Sequence, residues 1–309
     1  MSTVGIGFDQ DFEDAPRPFD PFAPLSPSGN LRRRKVTSAV VQSGATLAAV
    51  VAVVVLVIVV WSVFKNGAEA LSWSFLTSDL PQFGQNGGGI GPAIVGTAII
   101  VAIATAIAMP LGVLIALYLT EFASARIGNS VRLTLDLING LPSIVIAVFI
   151  FGLLVAGHHG SGFAAAVALA IIELPLIARG SQEVLLLVPN TLREGADALG
   201  VSKRRSVLGV ILPAAMGGIL TSTVLAVARA AGETAPVLIL SSIFNNNLHG
   251  NPFEPLANIP VLIFQLSEQP DPAGYARAWG AGFVLLSFIL IASLAGRMAL
   301  ARSRNKLTK

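Results

Sequence analysis

The chain has 309 residues, of which 54% are hydrophobic and only 12% charged. A soluble domain of that length carries charge on roughly a quarter of its residues, so the composition excludes one and points to a membrane protein. Net charge is +3 with a pI near 9.6, but the basic residues sit in short clusters between apolar runs, a topology pattern and not a nucleic-acid-binding face.

The absence of cysteine excludes disulfides, thiolate metal sites and cysteine nucleophiles. Of the three histidines, His158 and His159 share a short Gly-rich connection, where they read as metal ligands or, more simply, as part of a solvated turn. No metal site and no cofactor is expected.

Residues 1 to about 30 combine Asp9, Asp11, Glu13, Asp14 and Asp20 with five prolines and show no apolar periodicity. The expectation is a disordered arm over 1–35, with no cleavage pattern of small residues after it, so the first hydrophobic segment stays in the mature protein. A bilayer-spanning helix needs roughly 20 apolar residues. Six windows qualify, at about 40–63, 93–119, 137–157, 162–183, 207–231 and 279–300. Together they make a transmembrane domain over 36–303 followed by a tail at 304–309. Pro110, Pro142, Pro175 and Pro213 fall inside these windows, where neighbouring groups re-satisfy the freed carbonyls. The fold class is therefore an all-α membrane protein with six transmembrane helices.

Lys and Arg fix the expected orientation. Arg32, Arg33, Arg34 and Lys35 precede the first span. Arg126 and Arg132 separate the second from the third, and Arg193, Lys203, Arg204 and Arg205 the fourth from the fifth. Arg297, Arg302, Arg304, Lys306 and Lys309 lie at or beyond the end of the sixth, while the alternate loops hold only Lys65 and Arg277. Both termini and the two basic loops are expected on the cytoplasmic side. The long outer connections, about 64–92 and 232–278, carry amphipathic pieces such as Trp73 to Leu76 and Ile259 to Leu266.

The loop after the fourth span is the most informative. Thr191 and Glu194 have capping-box spacing, Leu192, Ala196 and Leu199 recur at i, i+4 and i+7, and Gly200 is a natural stop. This predicts a short amphipathic helix over 191–200 whose apolar stripe either fills a groove on a partner or lies on the bilayer surface. The run resembles the coupling loop of ABC importer permeases: Glu-Ala-Ala, three residues, Gly, nine residues, Ile, one residue, Leu-Pro. Glu194, Ala196, Gly200, Leu212 and Pro213 match in register, with Gly195 for the usual Ala and Val210 for the usual Ile. The resemblance implies the type I importer permease fold and docking of this helix on a nucleotide-binding subunit. No phosphate-binding Gly-rich loop ending in Lys-Ser or Lys-Thr occurs, so ATP hydrolysis is expected of another subunit; the resemblance implies a transport subunit and not an enzyme.

Charges inside the hydrocarbon cost roughly 2.5–3.5 kcal/mol on insertion scales and mark candidate sites. Arg179 with Glu183 and Arg229 with Glu233 are spaced i, i+4, so each is a candidate ion pair that an arriving anion competes for, unless the arginine instead reaches an interface along its stem. If both face the path, their different depths make them successive stations. Glu173, Asp136 and Glu121 also fall near or within spans, and Glu173, the deepest, needs a partner on a neighbouring helix.

Gly88 to Thr97, Leu137 to Ile144, Leu174 to Arg179 and Ala228 to Pro236 are similar to the PstA type of phosphate permease, and the likeness runs from about 40 to 300. By themselves the Gly-rich stretches Gly87 to Gly91 and Asn139 to Ser143 read as turns, hinges or close packing. The resemblance implies roles in transport for Arg179, an acid one turn on (Glu183, with Gln182 where an acid is often found) and Arg229. It implies an inner-membrane, multi-pass subunit of an importer for inorganic phosphate. The implied partners are a homologous second permease in a heterodimer, an ATP-binding subunit dimer, an extracytoplasmic phosphate-binding protein and membrane lipid, with no nucleic acid. The rival readings are a permease for molybdate or sulfate and a membrane-embedded enzyme or scaffold.

Overall fold

The computed structural model describes residues 30–80, 87–241, 249–268 and 271–307. The acidic arm lies almost wholly outside the described residues, as does Lys309. Most of the described residues are helical, and none of them forms a strand.

The chain divides into two units after Ile58. The first is dominated by the initial part of α1 (Leu31–Gly67), a 37-residue helix whose Val/Leu/Ile run is exposed on all sides, with Val53 at 59% and Leu56 at 61%. A helix apolar all round is a membrane span, and lipid is the solvent that covers it.

In the second unit Gly67, at the end of α1, meets the backbone of Trp279 and the side chain of Phe283. The short α2 (Trp73–Thr77) is capped by the Ser72 hydroxyl, which accepts from the Phe75 amide at 3.1 Å. Then come α3 (Gly91–Leu117), extended by a π turn at Tyr118–Phe122, α4 (Ala125–Gly140), and α5 (Ser143–Ile150), extended by a π turn at Phe151–Val155. They are followed by α6 (Gly162–Leu186), α7 (Asn190–Ala198) and α8 (Lys203–Ser206), which passes through a π turn at Val207–Ile211 into α9 (Leu212–Ala230). Last are α10 (Ala235–Ser241), α11 (Ile259–Glu268) and α12 (Pro272–Leu307).

Five helical stretches are long and apolar enough to cross a membrane, and the pair α4 with α5 makes a sixth candidate bent by 95°. The window at 137–157 is therefore not one straight span. Pro142 lacks an amide and keeps Leu141 extended (φ −71°, ψ 137°), so the helix stops at Gly140 and restarts at Ser143.

The centre is built from small residues, as helix packing in lipid requires. Gly112 of α3 faces Ile177 and Ala178 of α6, Gly180 of α6 abuts Ser222 of α9, and Gly218 of α9 abuts Val184 of α6. Thr105 of α3 meets Glu173 of α6. These pairs fix direction: α3 and α6 run parallel, α9 runs antiparallel to both, and the C-terminal ends of α3 and α6 lie on the same side as the start of α9.

At the opposite end, the Thr97 hydroxyl donates to the Ala93 carbonyl at 2.7 Å and accepts from the Ile259 amide at 2.9 Å, tying α3 to α11. The neighbouring Gly96 lies directly against the Ala257 carbonyl. Gly89 and Gly91 sit among the carbonyls of Ser74, Phe75, Thr77 and Ser78, and within this stretch Gly87 (φ 104°) and Gly88 (φ 78°) use the left-handed region. Close packing thus explains most of this Gly-rich stretch.

Candidate functional site

Arg179 projects from α6 with its side chain 44% exposed and forms its ion pair with Asp136 of α4, not with Glu183. Glu183 is exposed and forms no ion pair among the described residues. The bend at Pro142 sets α4 across the flank of α6, where Asp136 meets the guanidinium. An i, i+4 pair contributes only about 0.2–0.5 kcal/mol on an isolated helix, so a tertiary partner overrides it easily.

The second pair is formed as spaced: Arg229 Nε lies 4.0 Å from Glu233 Oε1. It does not owe its geometry to a shared helix face, because α9 ends at Ala230. A tight turn returns the chain, with the Gly232 amide donating to the Arg229 carbonyl and the Glu233 amide to the Ala230 carbonyl, each at 3.0 Å. Arg229 is 55% exposed on its side chain.

The contact of Gly180 with Ser222 places Arg179 level with about residue 223 of α9, six residues from Arg229. At 1.5 Å per residue the two guanidinium-bearing backbones differ in depth by about 9 Å. They occupy two levels of adjacent helices and not a single cage. Glu173 is fully buried in α6, and the Thr105 hydroxyl of α3 donates to its Oε2 at 3.2 Å, which supplies the neighbouring-helix partner anticipated for it.

The amphipathic helix is present as α7, but it starts one residue early. Pro189 occupies the N-cap position, Thr191 lies within the helix, and no side chain caps it, so the capping box from Thr191 to Glu194 is not formed. The stop is as read: Gly200 takes φ +67°. Its amide donates to Asp197 at 3.0 Å and the Val201 amide to Ala196 at 3.1 Å, a Schellman closure. The apolar stripe splits, because Ala196 is 7% exposed against the helix bundle while Leu192 and Leu199 are 40% and 82% exposed. Glu194 and Gly195 are exposed as well, so α7 presents Leu192, Glu194, Gly195 and Leu199 outward. Leu212 is half-buried and Pro213 exposed where α9 leaves its π turn. Reading the sequence alone missed two contacts, Asp136 to Arg179 and Arg193 to Glu121, which join positions 43 and 72 residues apart and carry no local spacing signal.

The model of the binding-protein-dependent transport system inner membrane component family matches residues 108–305. The chain is 37% identical over 277 residues to the phosphate transport system permease protein PstA 1 of Mycobacterium tuberculosis (strain CDC 1551 / Oshkosh), covering 86% of this chain and 89% of that protein. It is 37% identical over 242 residues to PstA of Haemophilus influenzae, covering 78% and 85% of the two chains. Among solved structures, a chain of the MetNI methionine ABC transporter in an inward-facing conformation superposes with TM-score 0.54 at 19% identity, covering 70% of this chain and 94% of that one. A chain of a bacterial alginate ABC transporter gives TM-score 0.59 at 13% identity, covering 86% and 96%. These structural likenesses establish the fold, and the sequence matches establish kinship: the chain belongs to the binding-protein-dependent transport system inner membrane components, and within them to the PstA type.

Proposed function

We infer that this chain forms half of the membrane path of an ATP-driven importer of inorganic phosphate. The observation that carries this reading is the pair of half-exposed arginines at two depths, Arg179 and Arg229, each balanced by one carboxylate, Asp136 and Glu233. A guanidinium neutralised by a carboxylate stays tolerable in a low-dielectric path while empty. It yields its planar fork to a phosphate, which offers the same two-oxygen face. Kinship with PstA permeases supports phosphate as the anion.

Members of this family work with an ATPase, a second permease and a binding protein. Here we assign a homologous but different permease as the heterodimer partner, two copies of the ATPase, and an extracytoplasmic phosphate-binding protein. Both termini and α7 then face the cytoplasm. The outward side of α7, including Glu194, Gly195 and Leu199, docks on the ATPase, while Ala196 seats the helix against the bundle, Gly200 ends it, and Leu212 and Pro213 open α9 behind it. ATP-driven closure of the motor rocks the bundle, and the anion passes Arg229 and then Arg179.

The test is radiolabelled phosphate uptake in a strain lacking this gene, with and without the gene restored, in the presence of excess sulfate or molybdate. Restoration of uptake that neither competitor suppresses is expected; normal phosphate uptake in the deletion strain would exclude the assignment. A Cβ added at Gly195 meets no neighbouring atom, and Ala favours a helix over Gly by about 1 kcal/mol. Gly195→Ala is therefore expected to restore uptake to within about twofold of wild type. A much larger loss in the same assay would mean that the docking groove has no room for a methyl group.

A further inference from the structure

Arg193 lies on α7, yet its side chain turns away from the outward face and into the bundle, where 22% of it is exposed. Its Nε and Nη2 donate to Glu121 Oε1 at 3.1 and 2.9 Å. Nη2 also donates to the Leu185 carbonyl at 3.0 Å, while Nη1 donates to the Val188 carbonyl at 2.7 Å and to Asn190 Oδ1 at 3.2 Å. A guanidinium has five N–H donors, so every one of them is engaged. The Leu185 carbonyl lies in the last turn of α6 and also accepts from the Val188 amide at 3.3 Å, and the Val188 carbonyl lies just past the end of that helix.

Glu121, 6% exposed on its side chain, belongs to the π turn that ends α3. The next residue, Phe122, carries Lys203 of α8 over its ring at 5.3 Å. The last two residues of the π turn that extends α3 are thus held by one side chain of α7 and one of α8. The α7 to α8 loop is covalently continuous with α6 and α9 but not with α3; these side chains are its polar hold on α3, beside an apolar cluster that joins Val188 and Val207 to Ala116 and Leu117.

We propose that the Glu121–Arg193 pair is the joint through which displacement of α7 moves α3 together with α6, so that the two parallel helices respond to the motor as one block. Both are positioning residues: neither touches the anion or the ATPase. The joint rests on the reading of α7 as the docking helix. A π turn suits the receiving end, because its wider hydrogen-bond ring lets a terminal turn shift without unravelling the α-helix behind it. Partial burial suits it as well, since a charge pair largely shielded from water, with all five guanidinium donors engaged, is hard to open partway.

The experiment uses the whole complex, with its ATPase and binding protein, in proteoliposomes, measuring ATP hydrolysis and phosphate transported in parallel. Glu121→Gln removes the charge, while Arg193→Lys keeps the charge but cannot reach the carboxylate and both carbonyls at once. Each variant is expected to copurify with the ATPase in the wild-type ratio and to hydrolyse ATP at no less than about half the wild-type rate. Phosphate moved per ATP is expected to fall at least about tenfold, a split that loss of folded complex would not produce because both readouts would then drop together. A wild-type ratio in either assembled variant would overturn the joint. Failure of both variants to assemble would also overturn it, by making the pair a requirement of folding and not of transmission. If the wild-type complex itself moved no phosphate, the underlying reading would fall and the joint with it; a working wild type beside working variants would overturn the joint alone.

Discussion

Arg229→Gln is expected to reduce phosphate uptake by about a hundredfold or more while leaving assembly with the ATPase intact. Two effects add. Hydrogen bonds to a charged group contribute about 1.5–3 kcal/mol each, and each 1.4 kcal/mol is a factor of about ten, so losing a two-pronged contact alone accounts for that scale. On the proposed route the substitution also leaves Glu233, which lies 4.0 Å from Arg229 Nε in the unsubstituted chain, beside the anion with an uncompensated negative charge. Arg229→Lys separates the two effects, because it retains the charge and loses the fork, and a smaller loss of about tenfold is expected. Uptake in complemented cells, with copurification of the ATPase as the control, reads both. Unchanged uptake in the Gln variant would show Arg229 to be an arginine that merely reaches the membrane interface along its stem.

Gly96→Ala is expected to have the largest structural effect of any single methyl group added to the second unit. A Cβ at Gly96 falls on the Ala257 carbonyl, in a backbone segment held in place by the hydrogen bond from the Ile259 amide, two residues on, to Thr97. Overpacking against side chains costs about 1–3 kcal/mol and backbone gives less, so a loss at or above the top of that range is expected. At an unfolding entropy of about 2.1 cal/mol/K per residue, a chain of this size loses roughly 1.5 °C per kcal/mol, so the melting midpoint is expected to fall by at least about 5 °C. Thermal unfolding of the purified complex checks it, with Gly195→Ala, which meets nothing within 4 Å, as the matched control. An unchanged midpoint would mean that the two segments are not clasped as described.

What could be read from the sequence follows from the range of the interactions. Long apolar runs need no partner to declare themselves, so the spans at 93–119, 162–183 and 207–231 coincide with α3, α6 and α9 to within a few residues. Gly200 ends α7 where read, because a left-handed stop is decided within a few residues. The α7 cap was misread for a complementary reason: Thr191 and Glu194 have the spacing, but Pro189 already fixes the backbone of the entry and the helix begins before Thr191. Asn139 to Ser143 was visible as an interruption, whereas the 95° bend it makes depends on how α4 lies across α6. That placement decides Arg179's partner. Asp136 lies on another helix, and spacing along one helix could suggest only Glu183.

Arg229 and Glu233 show the converse, a pair anticipated from helical spacing that forms through a turn after the helix has ended. Arg193 appeared as one of several basic residues marking membrane topology, and nothing near it in sequence announces Glu121. Where a charge on a membrane protein points is settled by the helices around it. The identity of a candidate charge is therefore easier to read than its partner.

The most direct measurement is transport by the purified heterodimer with its ATPase in proteoliposomes, supplied with phosphate-loaded binding protein. Accumulation of phosphate that requires ATP inside the motor's compartment, and that sulfate and molybdate neither replace nor suppress, is the predicted result. ATP-driven accumulation of sulfate or molybdate in place of phosphate, or phosphate entry indifferent to ATP, would contradict it.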